Sequence, residues 1–224
     1  MNQKFRSTTT RESLKSLLVK HLIFWDFDGV LKDSIEVKGN AFVDLFAKYG
    51  RSVTDAVKEH HRNHGGVSRY DKIPIYLGWA GECVTSEKIR DVASEFSELV
   101  IEGVVQAPWV HGAREYILTH YEKQIFVIVT ATPREEMSHI LSRLEIEHCF
   151  DSIYGSETKK SDAVRLVIDQ LSVKSDDALF IGDSRTDYEA ARVNDIPFIL
   201  RRHASNVELL DTEHCEFLDH FADE

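Results

Sequence analysis

The chain has 224 residues, and its 27 Lys and Arg face 38 Asp and Glu, giving a formal charge of −11 with His neutral. Its 42% hydrophobic residues are enough for a real interior, which excludes a wholly disordered chain and allows one large domain or a core with a small insertion. The acidic balance opposes a phosphate backbone or an anionic membrane surface, so neither nucleic acid nor membrane is an expected partner.

Residues 1–15 lack the apolar stretch and the small-residue cleavage site of a leader. Cys83, Cys149 and Cys215 are far apart and have no CxxC spacing, so no disulfide framework or zinc ribbon is expected. No run approaches the roughly 18 apolar residues of a membrane span. A soluble, cytoplasmic protein is the expectation.

The first predicted strand, Leu22 to Trp25, is short and continuously apolar, as strands buried on both faces of a parallel sheet are. It runs directly into Asp26 and Asp28. Two residues apart on an extended chain, their carboxylates fall on one side, and two close anions ending a buried strand are costly unless a cation or a phosphate-binding task explains them. Gly29 then supplies a sharp turn. The plain alternative is an ordinary Asp-Gly turn after a strand-end acid.

Nearly a hundred residues separate this strand from the next, and most have helical spacing: Ala41, Phe42, Leu45 and Phe46; then Val53 to His64, ended by Gly65-Gly66; then Ser86 to Val105. Pro108 marks a return to the core. The predicted organisation is a Rossmann-like α/β core from residues 1–34 and 108–224, with a helical insertion over 35–107 above the carboxyl ends of the strands. His60, His61 and His64 share one helix, but no carboxylate ligand pattern accompanies them, so zinc is not expected.

The strand Ile125 to Val129 ends in Thr130. Thr132, Pro133 and Glu135 predict a capping box for the following helix, leaving the Thr130 hydroxyl free for another partner. A second helix is predicted after Ser161 as N-cap. Lys160 just before it would make an anion site with the helix N-terminus, although Lys159 is an equally ordinary neighbour. The strand Ala178 to Ile181 again runs into acids, Asp183 and Asp187; Asp187 fits either a helix cap or support for a cation. Asp183 holds the strand-end position that Asp26 holds. If the two strands are neighbours, the carboxylates converge, and hard oxygen ligands suit Mg²⁺. A last strand is predicted at Pro197 to Leu200. No GxSxG, GxxxxGKS or GxGxxG motif occurs.

DFDGV, a strand ending in Thr, a lysine before a helix and GDSRTD, in this order along the chain, resemble the haloacid dehalogenase-like hydrolases. The helical insertion resembles the cap of the subgroup with phosphoglycolate phosphatase and β-phosphoglucomutase. The resemblance implies a Mg²⁺-dependent phosphatase in which Asp26 is the nucleophile and forms an aspartyl-phosphate, and Asp28 is the acid and base. It further implies that Thr130 and Lys160 hold the phosphoryl oxygens, and that Asp26, the Asp28 main-chain carbonyl and Asp183 hold the metal with Asp187 in support. The second aspartate, Asp28, sets the chain apart from the dehalogenases of the family. HGGVSRYDKI, residues 64 to 73, resembles the cap loop of β-phosphoglucomutase, which implies substrate contacts from Ser68, Arg69 and Lys72. The expected partner is therefore a small phosphorylated metabolite, such as a sugar phosphate or sugar-acid phosphate. The alternatives are a phosphosugar mutase or a non-catalytic phosphate-binding module. Oligomeric state is not readable from these residues.

Overall fold

The computed structural model describes residues 10–213 and 215–222; the stretch read above for a leader lies largely outside them, as does His214. The chain folds as helix α1 (Thr10–Leu18), strand β1 (Leu22–Trp25) and four helices, α2 (Ile35–Phe46), α3 (Arg51–Asn63), α4 (Arg69–Trp79) and α5 (Ser86–Gln106). Then follow α6 (Ala113–His120), β2 (Ile125–Val129), α7 (Arg134–Arg143), β3 (Ser152–Tyr154), α8 (Lys160–Leu171), β4 (Ala178–Gly182), α9 (Arg185–Val193), β5 (Phe198–Arg201), α10 (Val207–Glu213) and β6 (Glu216–Leu218).

The six strands form one sheet in the order β3-β2-β1-β4-β5-β6, with every neighbouring pair parallel. This is a Rossmann-like α/β fold. Alternate residues of the central strands feed two separate cores. Ile23, Trp25, Phe126, Ile128, Leu179 and Ile181 face one side, against α1, α6 and α7. Leu22, Phe24, Val127, Val129, Ala178 and Phe180 face the other, against α8 and α9. Burial on both faces is why these strands have no polar alternation. Sequence reading passed over β3 and β6, which are three-residue strands at the two sheet edges and only partly buried.

The first core continues from the sheet into the helices α2 to α5, through Phe42, Phe46, Val57, Tyr76, Phe96 and Val100. The four helices therefore rest on the sheet's own apolar interior. Among the described residues no helix is long and apolar enough to cross a membrane. The chain runs outward from β1 through β2 to β3 and then crosses to β4 on the other side of β1. That reversal opens a crevice at the carboxyl ends of β1 and β4, where ligands of open α/β sheets bind.

Candidate active site

Trp25 pairs in register with Ile128 of β2 and Ile181 of β4, which lines up the ends of the three strands. The residues that follow, Asp26, Thr130 and Asp183, consequently line one cavity. The Asp26 N–H donates to the Ile181 carbonyl at 2.9 Å and carries the ladder one residue past the strand. The chain then turns tightly, with the Gly29 N–H donating to the Lys32 carbonyl at 2.7 Å. Gly29 has φ +78°, and a Cβ on it would lie 2.2 Å from Asp183 Oδ2, so only glycine allows both the turn and the approach to Asp183.

Asp26 and Asp28 occupy opposite electrostatic settings. Asp26 Oδ1 accepts from the Phe27 N–H at 2.8 Å, and Oδ2 lies 3.0 Å from Lys160 Nζ. Burial and nearby Asp187 push its pKa up to about 7, against the pull of Lys160. Asp28 Oδ1 accepts from the Ser34 hydroxyl at 2.6 Å, and Oδ2 accepts from the Lys38 ammonium and, at 3.3 Å, from the Thr132 hydroxyl. Burial works to raise this group too, but Lys38 and the two hydroxyls outweigh it and hold the carboxyl below its ordinary value. Lys38 was not marked by any motif; it sits on the surface-like face of α2 in the sequence.

Lys160 rather than Lys159 enters the site. Ser161 does not cap α8, as its sequence position predicts. The cap position is Lys159, with extended backbone and no side-chain cap. Lys160 is the first residue of the helix, and its side chain turns inward to Asp26 and Asp187. A cation in a first turn opposes the helix dipole. Here two carboxylates hold it: Asp187 Oδ1 at 2.6 Å and Asp26 Oδ2 at 3.0 Å. Burial acts to lower the Lys160 pKa, but these two charges overcome it and raise it. Asp187 joins the two roles left open for it. Its Oδ2 accepts from the Ser184 N–H at 3.1 Å and the Ser184 hydroxyl at 2.5 Å, capping α9, while Oδ1 holds Lys160.

The capping box predicted at Thr132 also does not form. Pro133 occupies the cap position of α7 without a side-chain cap, and Glu157 accepts from the Arg134 N–H at 3.3 Å. Thr132 is drawn instead to Asp28 and to Lys38 Nζ, 2.6 Å away. The Thr130 hydroxyl, expected to be free, accepts from the Thr132 N–H at 3.2 Å, so its own proton is what it can offer a ligand.

Asp183 Oδ2 pairs with His203 Nε2 at 3.0 Å; burial pushes its pKa up, with the His203 bond opposing. Asn206 Nδ2 donates to the Asp183 carbonyl at 2.8 Å. Both partners come from the loop after β5, which carried no recognisable signal. Asp26, Asp183 and Asp187 each bring an oxygen within 4.8 Å of the others. The set fits a hard divalent cation: three buried carboxylates converge, and burial first, then the neighbouring carboxylates, push the pKa of Asp26 and Asp183 up, which a bound cation would offset.

The helical wall of the cavity, whose volume is about 280 Å³, includes Lys38, Phe42, His61, Arg69, Lys72 and Phe96. Arg69 forks onto Glu136 of α7, Nη2 to Oε1 at 2.6 Å and Nη1 to Oε2 at 2.8 Å, while Nη1 also donates to Ser97 at 2.6 Å. Its guanidinium lies 4.5 Å over the Phe96 ring. Glu136 and Ser97 were invisible in the sequence, being ordinary polar positions on long helices. Lys72 is buried, with its Nζ 3.3 Å from His61 Nδ1. Ser68 caps α4, accepting from the Tyr70 N–H at 3.3 Å, and lines an adjoining hollow with Thr130 and Lys160. The three histidines of α3 diverge: His60 bonds the Tyr76 hydroxyl at 3.1 Å, His64 stacks on His60, and His61 turns inward against Phe42.

A family profile described as haloacid dehalogenase-like hydrolase matches residues 23–200. A phosphorylated carbohydrates phosphatase from Thermotoga maritima is 27% identical over 180 residues, covering 76% of this chain and 79% of that protein. A phosphoglycolate phosphatase from Pseudomonas fluorescens is 26% identical over 199 residues, covering 83% and 70%. Among solved structures, a β-phosphoglucomutase from Clostridium difficile superposes with a TM-score of 0.71 at 15% identity, covering 90% of this chain and 92% of that one, a likeness in fold.

Proposed function

The chain belongs to the haloacid dehalogenase-like hydrolases and is a phosphatase, and from that premise we propose that it is a Mg²⁺-dependent phosphomonoesterase acting through an aspartyl-phosphate. The proposed substrate is a small phosphorylated metabolite: a phosphorylated carbohydrate, a sugar-acid phosphate or a phosphoglycolate-like compound. Residues 35–107 act as its cap. The observation that carries this reading is the meeting of Asp26, Asp28, Thr130 and Asp183 in one cavity at the ends of three neighbouring parallel strands, with Lys160 3.0 Å from Asp26 and an oxygen of Asp26, Asp183 and Asp187 within 4.8 Å of one another.

Asp26 Oδ2, oriented by Lys160, attacks phosphorus in line with the leaving oxygen. Asp28 protonates that oxygen and later takes a proton from the hydrolytic water. Lys160 and the Thr130 hydroxyl hold the phosphoryl oxygens, and Asp187 keeps Lys160 in place. Asp26 and Asp183 are the donors that would hold the metal, with Asp187 beside them; when bound, Mg²⁺ supplies positive charge that keeps Asp26 ionised and lessens its repulsion of phosphate. In the resting site Asp28 is ionised against Lys38. An arriving phosphate competes for that lysine and repels the carboxylate, which favours the proton Asp28 needs as an acid.

Phosphate release from a generic aryl phosphate tests the reading: activity is expected with Mg²⁺, lost with EDTA, and lost in a folded Asp26→Asn variant. Persistent turnover in that variant overturns the mechanism. A mutase is the second reading, favoured by the cap loop's likeness to β-phosphoglucomutase; isomer formation without net phosphate release would establish it.

A further inference from the structure

The three acids at the strand ends are braced from different places, and the role inferred from this rests on the phosphatase reading, in which Asp183 is a metal donor. Asp187 is fixed by Ser184 at the start of its own helix, and Asp26 by the Phe27 N–H and Lys160. Asp183 is fixed from elsewhere, by the loop that follows β5. His203 Nε2 lies 3.0 Å from its Oδ2, and Asn206 Nδ2 donates to its main-chain carbonyl at 2.8 Å. Both residues line the cavity beside it.

The proton on that imidazole can be placed. His203 Nδ1 accepts from the Ser205 N–H at 3.3 Å and lies 2.9 Å from the Ser205 hydroxyl. A main-chain N–H can only donate, so Nδ1 carries no proton; the proton is on Nε2, which donates to Asp183. Asn206 locks the loop in this shape, its Oδ1 accepting from the His203 N–H at 2.9 Å and its Nδ2 donating also to the Arg201 carbonyl at 2.9 Å. Gly29 closes on the same carboxylate oxygen, since a Cβ there would lie 2.2 Å from Oδ2. Oδ2 is therefore engaged and hemmed in, and among the described residues Oδ1 is the Asp183 oxygen left for a cation. Such a carboxylate suits one kind of cation. Mg²⁺ demands a near-ideal octahedron of single oxygens, whereas Ca²⁺ readily takes both oxygens of one carboxylate.

We propose that His203 is a positioning residue that holds Asp183 as a one-oxygen ligand, and that the loop after β5 thereby sets a preference of the site for Mg²⁺ over Ca²⁺. Ser205 acts through His203 by fixing its tautomer.

Calorimetric titration of the metal-free protein with Mg²⁺ and with Ca²⁺, in the absence of substrate, tests this. In His203→Leu the Mg²⁺ affinity is expected to fall about ten- to a hundredfold, the usual cost of losing a hydrogen bond behind a metal ligand. Ca²⁺ affinity is expected to hold or rise, because the released carboxylate can offer both oxygens. In His203→Gln, whose amide nitrogen can donate from nearly the same place, most of the Mg²⁺ affinity is expected to return. Unchanged Mg²⁺ affinity in a folded His203→Leu variant overturns the proposal. So does an equal loss for both cations, which is what general damage to the loop gives, and so does the absence of binding of either cation to the unmodified protein. A measurement on the unmodified protein does not depend on how the variants fold: long-range ¹H–¹⁵N NMR at pH 8 with saturating Mg²⁺ is expected to find His203 protonated on Nε2 alone, and a proton on Nδ1 overturns the proposal. Aryl-phosphate turnover is a separate readout. Its absence alongside the expected shift in metal affinities counts against the phosphatase reading and supports the role of His203, whereas turnover with unchanged affinities overturns that role alone.

Discussion

The strand wall and the helical wall of the cavity solve the problem of buried charge differently. At the strand ends the buried side chains brace one another: Lys160 spans Asp26 and Asp187, and His203 meets Asp183. On the helical wall Arg69 and Glu136 satisfy each other and tie α4 to α7, while Lys72, a turn away, is buried and among the described residues is met by the His61 ring rather than by an acid. The contrast teaches that the strand ends carry opposing charges within bonding reach, whereas the helical wall buries one lysine beside a histidine ring.

Substitutions can break this contrast. The largest effect is expected for Asp26→Asn, a loss of about four orders of magnitude or more in kcat for aryl phosphate, because the nucleophile acts with its neighbours as a unit. Next comes Glu136→Ala. It strands the buried Arg69 guanidinium, and urea unfolding is expected to show a loss of about 3–5 kcal/mol. The double variant Arg69→Met with Glu136→Leu is expected to recover most of that, since an apolar pair carries no desolvation cost.

Gly29→Ala strikes the strand wall. With φ at +78° and the new Cβ in the space of Asp183 Oδ2, a destabilisation of about 1–3 kcal/mol is expected, together with a fall in kcat. The smallest effect is a pH dependence at His61, whose pKa burial and then Lys72 push down to about 3. Between about pH 6.5 and 3 the unfolded chain binds a proton that the folded chain does not. Stability therefore falls as pH falls through that window, and His61→Asn is expected to flatten the fall by about 1 kcal/mol per pH unit at most. Urea midpoints at pH 7.5 and 5.5 measure it.

The strand wall was legible in the sequence because its residues stand where apolar runs stop. Asp26, Thr130 and Asp183 each follow directly on a buried strand, and parallel register brings strand ends together. The helical wall was legible only as composition. Nothing in the spacing of α7 marks Glu136 as the partner of Arg69, 67 positions away. Lys38 and His203 were missed for the same reason: a lysine on a helix face and a histidine in a loop are, locally, unremarkable surface residues. Thr132 was misassigned because a T-P-x-E run has a local explanation, and the pull of Asp28 across the cavity outweighs it.

Gly66 carries a further consequence, one of inheritance. A Cβ at this position would lie 2.2 Å from Thr186 Oγ1 and 2.3 Å from Ser184 Oγ. Ser184 in turn holds Asp187, which holds Lys160, which holds Asp26. A mutation at Gly66 is thus transmitted to the nucleophile through a short relay of contacts, while position 72, on the neighbouring helix, stands outside that relay. Lineages descending from such a sequence can vary position 72 without touching this relay, while the seam at Gly66 is held fixed.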